Sequence, residues 1–155
     1  MAPRAPEPVT ALWLSHHYPD DYERCAVVAG RHVCRRCLVL YPLAALAMAL
    51  GLAGGPWPAA WEVGLLALLP LPAVVEFVGE HLGRLSYRPR RQMAVTVPLG
   101  LALGIGLARY LEDQGDLAFW AMVVGYGGVC VLAAVVGWRR AAGPVDGSPP
   151  PGSAS

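Results

Sequence analysis

Long apolar stretches alternate along this chain with short polar segments that are rich in arginine. Stretches of 18 to 22 residues with little or no charge occupy positions 38–55, 57–78, 93–111 and 117–138. At about 1.5 Å rise per residue, helices of this length cross a hydrocarbon core of roughly 30 Å. Two segments, 65–75 and 117–136, also lack the polar face that a helix of a water-soluble bundle presents. The pattern predicts an all-α integral membrane protein, with a four-helix bundle over residues 38–140.

The arginines between these stretches are distributed unevenly between the two ends of the predicted helices. One end carries eleven of them: Arg4, Arg24, Arg31, Arg35, Arg36, Arg84, Arg88, Arg90, Arg91, Arg139 and Arg140. The connections at the other end, 55–58 and 112–116, contain none, and only Arg109 borders them. Because cytoplasmic loops are enriched in Arg and Lys, this bias predicts a multi-pass protein of the bacterial cytoplasmic (inner) membrane with both termini in the cytoplasm.

Composition narrows the possible partners and activities. Hydrophobic residues make up 55% of the chain and charged residues 15%, against about 25% charged in an average soluble protein. The net charge is +1 and the chain has no lysine, so we expect the lipid bilayer rather than a nucleic acid as partner. No Ser-His-Asp arrangement, phosphate-binding glycine loop or HExxH motif is present, and an enzymatic role is not favoured. The Pro-, Gly- and Ser-rich ends, 1–11 and 141–155, are predicted to be disordered tails.

Cysteine and histidine residues concentrate in the cytoplasmic segment 12–37, directly before the first span. Cys34 and Cys37 form a Cys-x-x-Cys pair, Cys25 precedes them, and His16 and His17 lie further upstream. Two thiolates of such a pair reach one metal through a tight turn, and two further N or S ligands complete a tetrahedron. We therefore predict a structural zinc site with Cys34 and Cys37 as the firmest ligands, Cys25 as the third, and His17 or His16 as the fourth. A redox Cys-x-x-Cys pair and inert or lipidated cysteines remain alternatives.

Acidic residues lie at the end of the second span, near the same membrane face. If the first two spans pack against each other as an antiparallel pair, the end of the second span lies close to Cys34 and Cys37. Glu76 and Glu80 share one helix face there, and His81 is a reserve ligand of the metal. An acid inside a membrane is costly, so Glu76 is expected to pair with an arginine, or to support the metal from its second shell. The candidate partners are Arg84, Arg88 and Arg91.

The sequence also predicts how several further residues act within the bundle. Gly100-x-x-x-Gly104 allows close helix approach, either within the bundle, which is favoured, or between two copies of the chain in a homo-oligomer. Cys130, alone in the fourth span, is expected to be a buried small apolar residue. Breaks or kinks are expected at Pro42, Pro70, Pro72 and Pro98.

The motif around the cysteines resembles that of the bacterial membrane protein family called domain of unknown function 2085. That family carries a Cys-His pair, a nearby Arg, and then Cys-Ala-Arg-Cys-Thr-Gly-Ile-Tyr entering its first membrane helix. The corresponding residues here are His16-His17, Arg24, Cys34-Arg35-Arg36-Cys37 and Tyr41, followed by Glu76, Ser86 and Arg91. His16 stands in place of the family's first Cys, and Leu38-Val39 replaces Thr-Gly. The resemblance covers roughly residues 12–110 and implies a topology and the position of a site, but no activity.

Three functional hypotheses follow. The first is a small membrane protein whose zinc-bound segment caps the cytoplasmic face of the bundle. The second is a metal-handling or transport protein, with Glu76 and Glu80 lining a path towards the cysteines. The third is a membrane thiol-disulfide oxidoreductase that uses Cys34 and Cys37.

Overall fold

The computed structural model describes residues 10–11, 22 and 24–141 of the chain. Most of the segment 12–24 lies outside the described residues, and with it His16 and His17. The two expected tails also lie outside them, except for residues 10, 11 and 141. The described part is mostly helical, as an all-α bundle requires. It also contains one short antiparallel β-hairpin that the sequence analysis did not predict.

The hairpin consists of β1 (Cys25–Val28) and β2 (Arg31–Cys34) and leads directly into the first helix. Its register pairs Cys25 with Cys34 and Val28 with Arg31. Ala29 and Gly30, which connect the strands, both have positive φ angles, of 50° and 75°. Two positive φ angles are what a type I′ turn requires, and this turn matches the twist of the flanking strands. The hairpin lies within the cysteine-rich segment 12–37, for which no strand was predicted.

Four apolar helical segments follow, and each is long enough to cross a membrane. They are α1 (Arg35–Leu52), the pair α2 (Glu62–Leu68) and α3 (Leu71–His81), α4 (Pro89–Glu112) and α5 (Leu117–Ala141). A short 3₁₀ turn (Ala59–Trp61) precedes α2. Pro42 and Pro98 lie inside continuous helices, whereas Pro70 separates α2 from α3. The expected interruption is thus found at Pro70, because proline cannot donate the backbone hydrogen bond that would continue α2.

The closest helix pair is α1 with α4, not α1 with the second span. Gly100 and Gly104 make this approach possible, because a Cβ atom at Gly104 would lie 2.6 Å from the Cβ of Ala47. The direct packing expected between the first two spans is therefore wrong, and α4 is the principal neighbour of α1. Both glycines serve packing within one chain, which was the favoured interpretation, and a homo-oligomer remains a prediction.

The last helix, α5, packs loosely on the outside of the bundle. It contacts mainly α3, and only 6% of its most apolar 18-residue window is buried. Val124, Leu132 and Trp138 are among its exposed side chains. At the end of α5, Gly137 lies against the backbone of His81, where a side chain would clash.

Candidate functional site

Three of the four cysteines lie together where the hairpin meets α1. Cys25 and Cys34 face each other across the two strands, and both are buried, with 4% and 7% of their surface exposed. Cys37 lies in the first turn of α1, and its side chain is within hydrogen-bond contact of Cys34. All three are free thiols. Cys34 therefore has a neighbouring thiol on each side, one across the hairpin and one along the helix.

The hairpin is attached to its surroundings through backbone groups. The Arg35 Nε–H donates to the carbonyl oxygen of Cys25 at 2.8 Å. The backbone N–H of His32 donates to the Thr10 hydroxyl at 3.0 Å, and the Tyr22 ring stacks on the His32 ring with 3.9 Å between centroids. His32 thus packs against an aromatic ring next to the thiols.

The thiols do not form a preassembled metal site, either by themselves or with other donors among the described residues. In residues 10–11, 22 and 24–141, no group of three or more His, Cys, Asp or Glu side chains is placed to hold a metal ion. Burial, followed by the neighbouring Cys34, raises the pKa of Cys25, and Arg35 opposes this shift. The donor chemistry still suits zinc, since Zn²⁺ displaces the protons of cysteine ligands on binding. His16 and His17, the predicted nitrogen ligands, lie outside the described residues.

Next to the hairpin, Glu76 of α3 lies in the interior of the bundle and is held by two arginines. Only 2% of its surface is exposed. Its carboxylate accepts from Arg91 Nε of α4 at 2.9 Å and from Arg36 Nη2 of α1 at 3.3 Å. Arg91 was one of the three expected partners, whereas Arg36 was not foreseen. Arg84 and Arg88, the other two candidates, are exposed.

Glu80 extends this set of charges towards the hairpin. It lies 3.4 Å from Arg91 and 3.9 Å from Arg24, whose guanidinium group stacks 4.4 Å above the centroid of the Tyr87 ring. Arg91 also donates to the carbonyl oxygen of Ser86 at 2.6 Å. We call Arg24, Arg36, Glu76, Glu80 and Arg91 the hairpin-end cluster.

A polar cavity of about 460 Å³ lies beside this cluster. Cys34, Glu80 and His81 line it together, so the end of the second span does lie close to the cysteines, as expected. The His81 ring stacks on Phe77 at 3.9 Å, and its Nδ1 lies 2.9 Å from the Phe77 carbonyl oxygen. Both glutamates are already paired with arginine, so neither provides an unoccupied carboxylate for a metal.

The opposite end of the bundle carries a second set of charges that the sequence analysis missed. Arg109 of α4 donates to Glu62 at 2.7 Å and to Asp116 at 2.5 Å. Glu62 also accepts from the indole N–H of Trp57 at 3.1 Å, and Asp116 accepts from the backbone N–H of Phe119 at 2.6 Å. We call Glu62, Arg109 and Asp116 the turn-end cluster. The signal in the sequence was the isolation of Arg109 at its end of the predicted helices, followed by Glu112, Asp113 and Asp116 in the next connection.

Hydrogen bonding sets the ionisation of Asp116. The Arg109 guanidinium, and after it the Phe119 N–H, hold the pKa of the Asp116 carboxyl below its ordinary value. Asp116 directly precedes α5, where a carboxylate both accepts from free N–H groups and favours the positive end of the helix dipole. The turn-end cluster therefore joins α2, α4 and the start of α5.

An apolar slot of about 270 Å³ runs between α3, α4 and α5. Cys130 lines this slot and is only half-buried. The expectation of a fully buried Cys130 was wrong, because the loose packing of α5 leaves room beside it. Tyr126, also in the wall, donates its hydroxyl to the backbone carbonyl of Ala67, so that polar group is already paired.

Comparison with protein-family models, curated proteins and solved structures gives no match for this chain. The resemblance to the domain of unknown function 2085 therefore stays a prediction from the motif.

The hairpin was present in the sequence as a recognisable signal. Val27 and Val28 precede Ala29-Gly30, and Val33 follows three residues after Gly30. β-Branched residues on both sides of a two-residue connection that contains glycine are typical of a hairpin. The residues around Ala29-Gly30 therefore suffice to predict the hairpin.

Proposed function

We propose that this chain is a multi-pass membrane protein whose cysteine-rich segment binds one structural zinc ion at the cytoplasmic face. The exposure of the helices supports the membrane part of the proposal. The α5 helix is apolar from Leu117 to Trp138 and is hardly covered by the rest of the chain. In water, such a surface would be a large exposed apolar patch, whereas lipid chains solvate it at no cost.

The two ion clusters support the placement in the bilayer. Glu62 and Glu76 lie on the same span and are 14 residues apart, which corresponds to about 21 Å along a helix. The side chains between them are apolar, and about 21 Å is less than the roughly 30 Å of a hydrocarbon core, so each cluster is proposed to lie a few ångströms inside one edge of that core. The hairpin end carries the excess of arginine and is therefore proposed as the cytoplasmic side.

Reporter fusions test this orientation. Alkaline phosphatase, which is active only after export, is fused after Glu112 in the turn between α4 and α5, and separately after Arg140. We expect activity from the first fusion alone, and a fluorescent protein that folds in the cytoplasm should give the reverse pattern. Phosphatase activity from the Arg140 fusion would refute the orientation, and with it a reduced environment for the cysteines.

The neighbouring positions of the three thiols carry the zinc proposal. Cys25 and Cys34 are paired in register, and Cys34 and Cys37 are in contact at the start of α1. Burial raises the pKa of the Cys25 thiol, so a zinc ion would have to displace protons from its cysteine ligands as it binds. Cys25, Cys34 and Cys37 would supply sulfur, and His17 or His16 the nitrogen. A zinc ion bound there would supply a cross-link between the hairpin and α1.

Elemental analysis of the full-length protein in detergent micelles tests the site. We expect about one zinc per chain, as a closed tetrahedral site requires, and its loss in the Cys34→Ser, Cys37→Ser double variant. Cys130→Ser provides a matched control, since it removes the fourth cysteine, which lies in α5 away from the hairpin. Protein without zinc after expression in zinc-supplemented medium, or zinc that survives in the double variant, would refute the proposal.

Thiol-disulfide exchange is the second candidate, and the contact between Cys34 and Cys37 favours it over metal transport. Thiol counting on the same sample separates the two candidates. Zinc-bound thiols react with an alkylating reagent only after a chelator is added, whereas a redox pair forms a reversible disulfide without metal. Transport through Glu76 and Glu80 has less support, because both acids are already paired with arginine.

A further inference from the structure

The polar cavity beside the hairpin-end cluster and the apolar slot share a wall. Arg36 and Phe77 line both of them. The polar cavity lies below the hairpin, and the slot continues from it along the bundle towards Phe119 near the start of α5. The two spaces therefore adjoin each other at Arg36 and Phe77, one of them polar and the other apolar.

The slot is elongated along the bundle, as a lipid chain is. Between Cys130 and Phe119, which both line it and are eleven residues apart on α5, it is about 17 Å long. Its far end lies beside the turn-end cluster, since the Phe119 N–H donates to Asp116, so a chain that fills the slot passes the middle of the bilayer. The volume of about 270 Å³ also exceeds the roughly 150 Å³ in which an apolar cavity binds benzene. Val123 and Gly127 in its wall are exposed, so a chain can enter sideways from the membrane.

The polar cavity carries charges that suit an anion. Arg24, Arg36 and Glu80 line the cavity, which leaves one positive charge in excess, and the buried amide of Gln92 completes the wall. Arg36 uses Nη2 for Glu76, while its buried Nε has no hydrogen-bond partner among the described residues. Guanidinium groups bind phosphate through paired N–H donors, and Arg36 retains donors for that purpose.

We propose that these adjoining spaces bind one anionic phospholipid of the cytoplasmic leaflet, with its phosphate at Arg36 and Arg24 and one acyl chain in the slot. The proposal relies on the membrane placement proposed above but not on the zinc ion. A headgroup at this point lies against the hairpin, α1 and α3. Lipid binding would consequently link the cysteine-rich segment to the membrane surface.

Native mass spectrometry of the full-length protein in detergent tests the headgroup. The probes are dimyristoyl phosphatidic acid and dimyristoyl phosphatidylcholine, which have the same chains. We expect about tenfold tighter binding of the anionic lipid, which is about 1.4 kcal/mol, because its headgroup lacks the choline cation that offsets the phosphate charge, and we expect loss of this preference in Arg36→Gln. Arg90→Gln is the control, because it removes an equal charge from an exposed position at the same end of the bundle.

A pair of glycine variants tests the slot without touching the charges. Gly127 lines the slot and Gly125 does not, and a Cβ atom at either position would meet nothing within 4 Å. Gly127→Leu should weaken binding of both lipids, and Gly125→Leu should weaken neither. This pair decides the question even if Arg36→Gln fails to fold.

Three results would overturn the proposal. The first is equal affinity of the unaltered protein for the two lipids. The second is the same loss of preference in Arg90→Gln as in Arg36→Gln, which would indicate diffuse surface charge. The third is equal binding by the Gly125 and Gly127 variants. None of these results would affect the zinc content or the reporter fusions, so the proposals fail independently.

Discussion

The hairpin-end and turn-end clusters, at opposite ends of the bundle, have opposite arrangements of charge. At the hairpin end, the buried acid Glu76 is held by arginines from two different helices. At the turn end, one arginine, Arg109, is held by acids from two different elements. The first cluster has three arginines for two glutamates, whereas the second has two acids for one arginine. The excess of positive charge thus lies at the hairpin end, which is proposed to face the cytoplasm, and the turn end carries an excess of negative charge.

The surroundings of the clusters differ as much as their signs. At the turn end, Asp116 and Glu62 use their remaining lone pairs on the Phe119 N–H and the Trp57 indole. At the hairpin end, Arg36 lies between two cavities and retains an N–H group without a partner among the described residues. A cluster with all its groups paired stabilises the fold, whereas one with donors left over can also bind a ligand. The comparison therefore assigns structure to one end and recognition to the other.

Removal of the central acid should have the largest effect. Glu76→Gln leaves Arg36 and Arg91 close together inside the bundle without their shared counter-charge. Breaking a buried ion pair from one side costs about 3–5 kcal/mol, and we expect a loss of this size in the free energy of unfolding. The measurement is unfolding of the detergent-solubilised protein by sodium dodecyl sulfate, followed by tryptophan fluorescence.

An acid of the same type at an exposed position provides the control for this variant. Glu112 ends α4 and is exposed, so Glu112→Gln should change the free energy of unfolding by less than about 0.5 kcal/mol. Equal effects of the two variants would contradict the view that burial makes Glu76 important.

The corresponding change at the turn end should cost less. Arg109→Gln leaves Glu62 and Asp116 facing each other, but their side chains are 20% and 13% exposed and water can reach both. Loss of a partner of this kind costs about 1–3 kcal/mol. The same unfolding assay measures it, with the exposed Arg139→Gln as control. A larger loss than for Glu76→Gln would reverse the ranking of the two ends.

The spans and the partner of Glu76 could be predicted from the sequence because both depend on the free-energy cost of placing polar or charged groups in an apolar layer. The predicted span 93–111 falls within α4 (Pro89–Glu112), since the hydropathy of a long stretch needs no knowledge of its neighbours. Arg91 could be named as a partner because an acid in an apolar layer needs a counter-charge, and few arginines lie within reach.

The neighbours of α1 and the shape of the cysteine segment could not be predicted in the same way. Which helix packs on α1 depends on the fit of Gly104 against Ala47, and apolar composition does not determine that fit. The hairpin depends on a two-residue turn between strands of four residues each, a signal weaker than a Cys-x-x-Cys motif. Arg36 was missed as a partner because α1 was expected to pack elsewhere.

The smallest expected effect concerns the response of the turn end to acid. The pKa of Asp116 is held below its ordinary value by Arg109 and by the Phe119 N–H. Its stabilising contribution is therefore complete above the unfolded-state pKa of about 3.9 and is lost as the pH falls through the lower folded-state pKa. Asp116→Asn keeps an acceptor for the N–H groups of α5 but has no charge. Unfolding temperatures measured between pH 6 and pH 3 should consequently fall less steeply for this variant than for the unaltered protein. Parallel curves would show that Arg109 is stabilised by Glu62 alone, and that the two acids of the turn-end cluster are not equivalent.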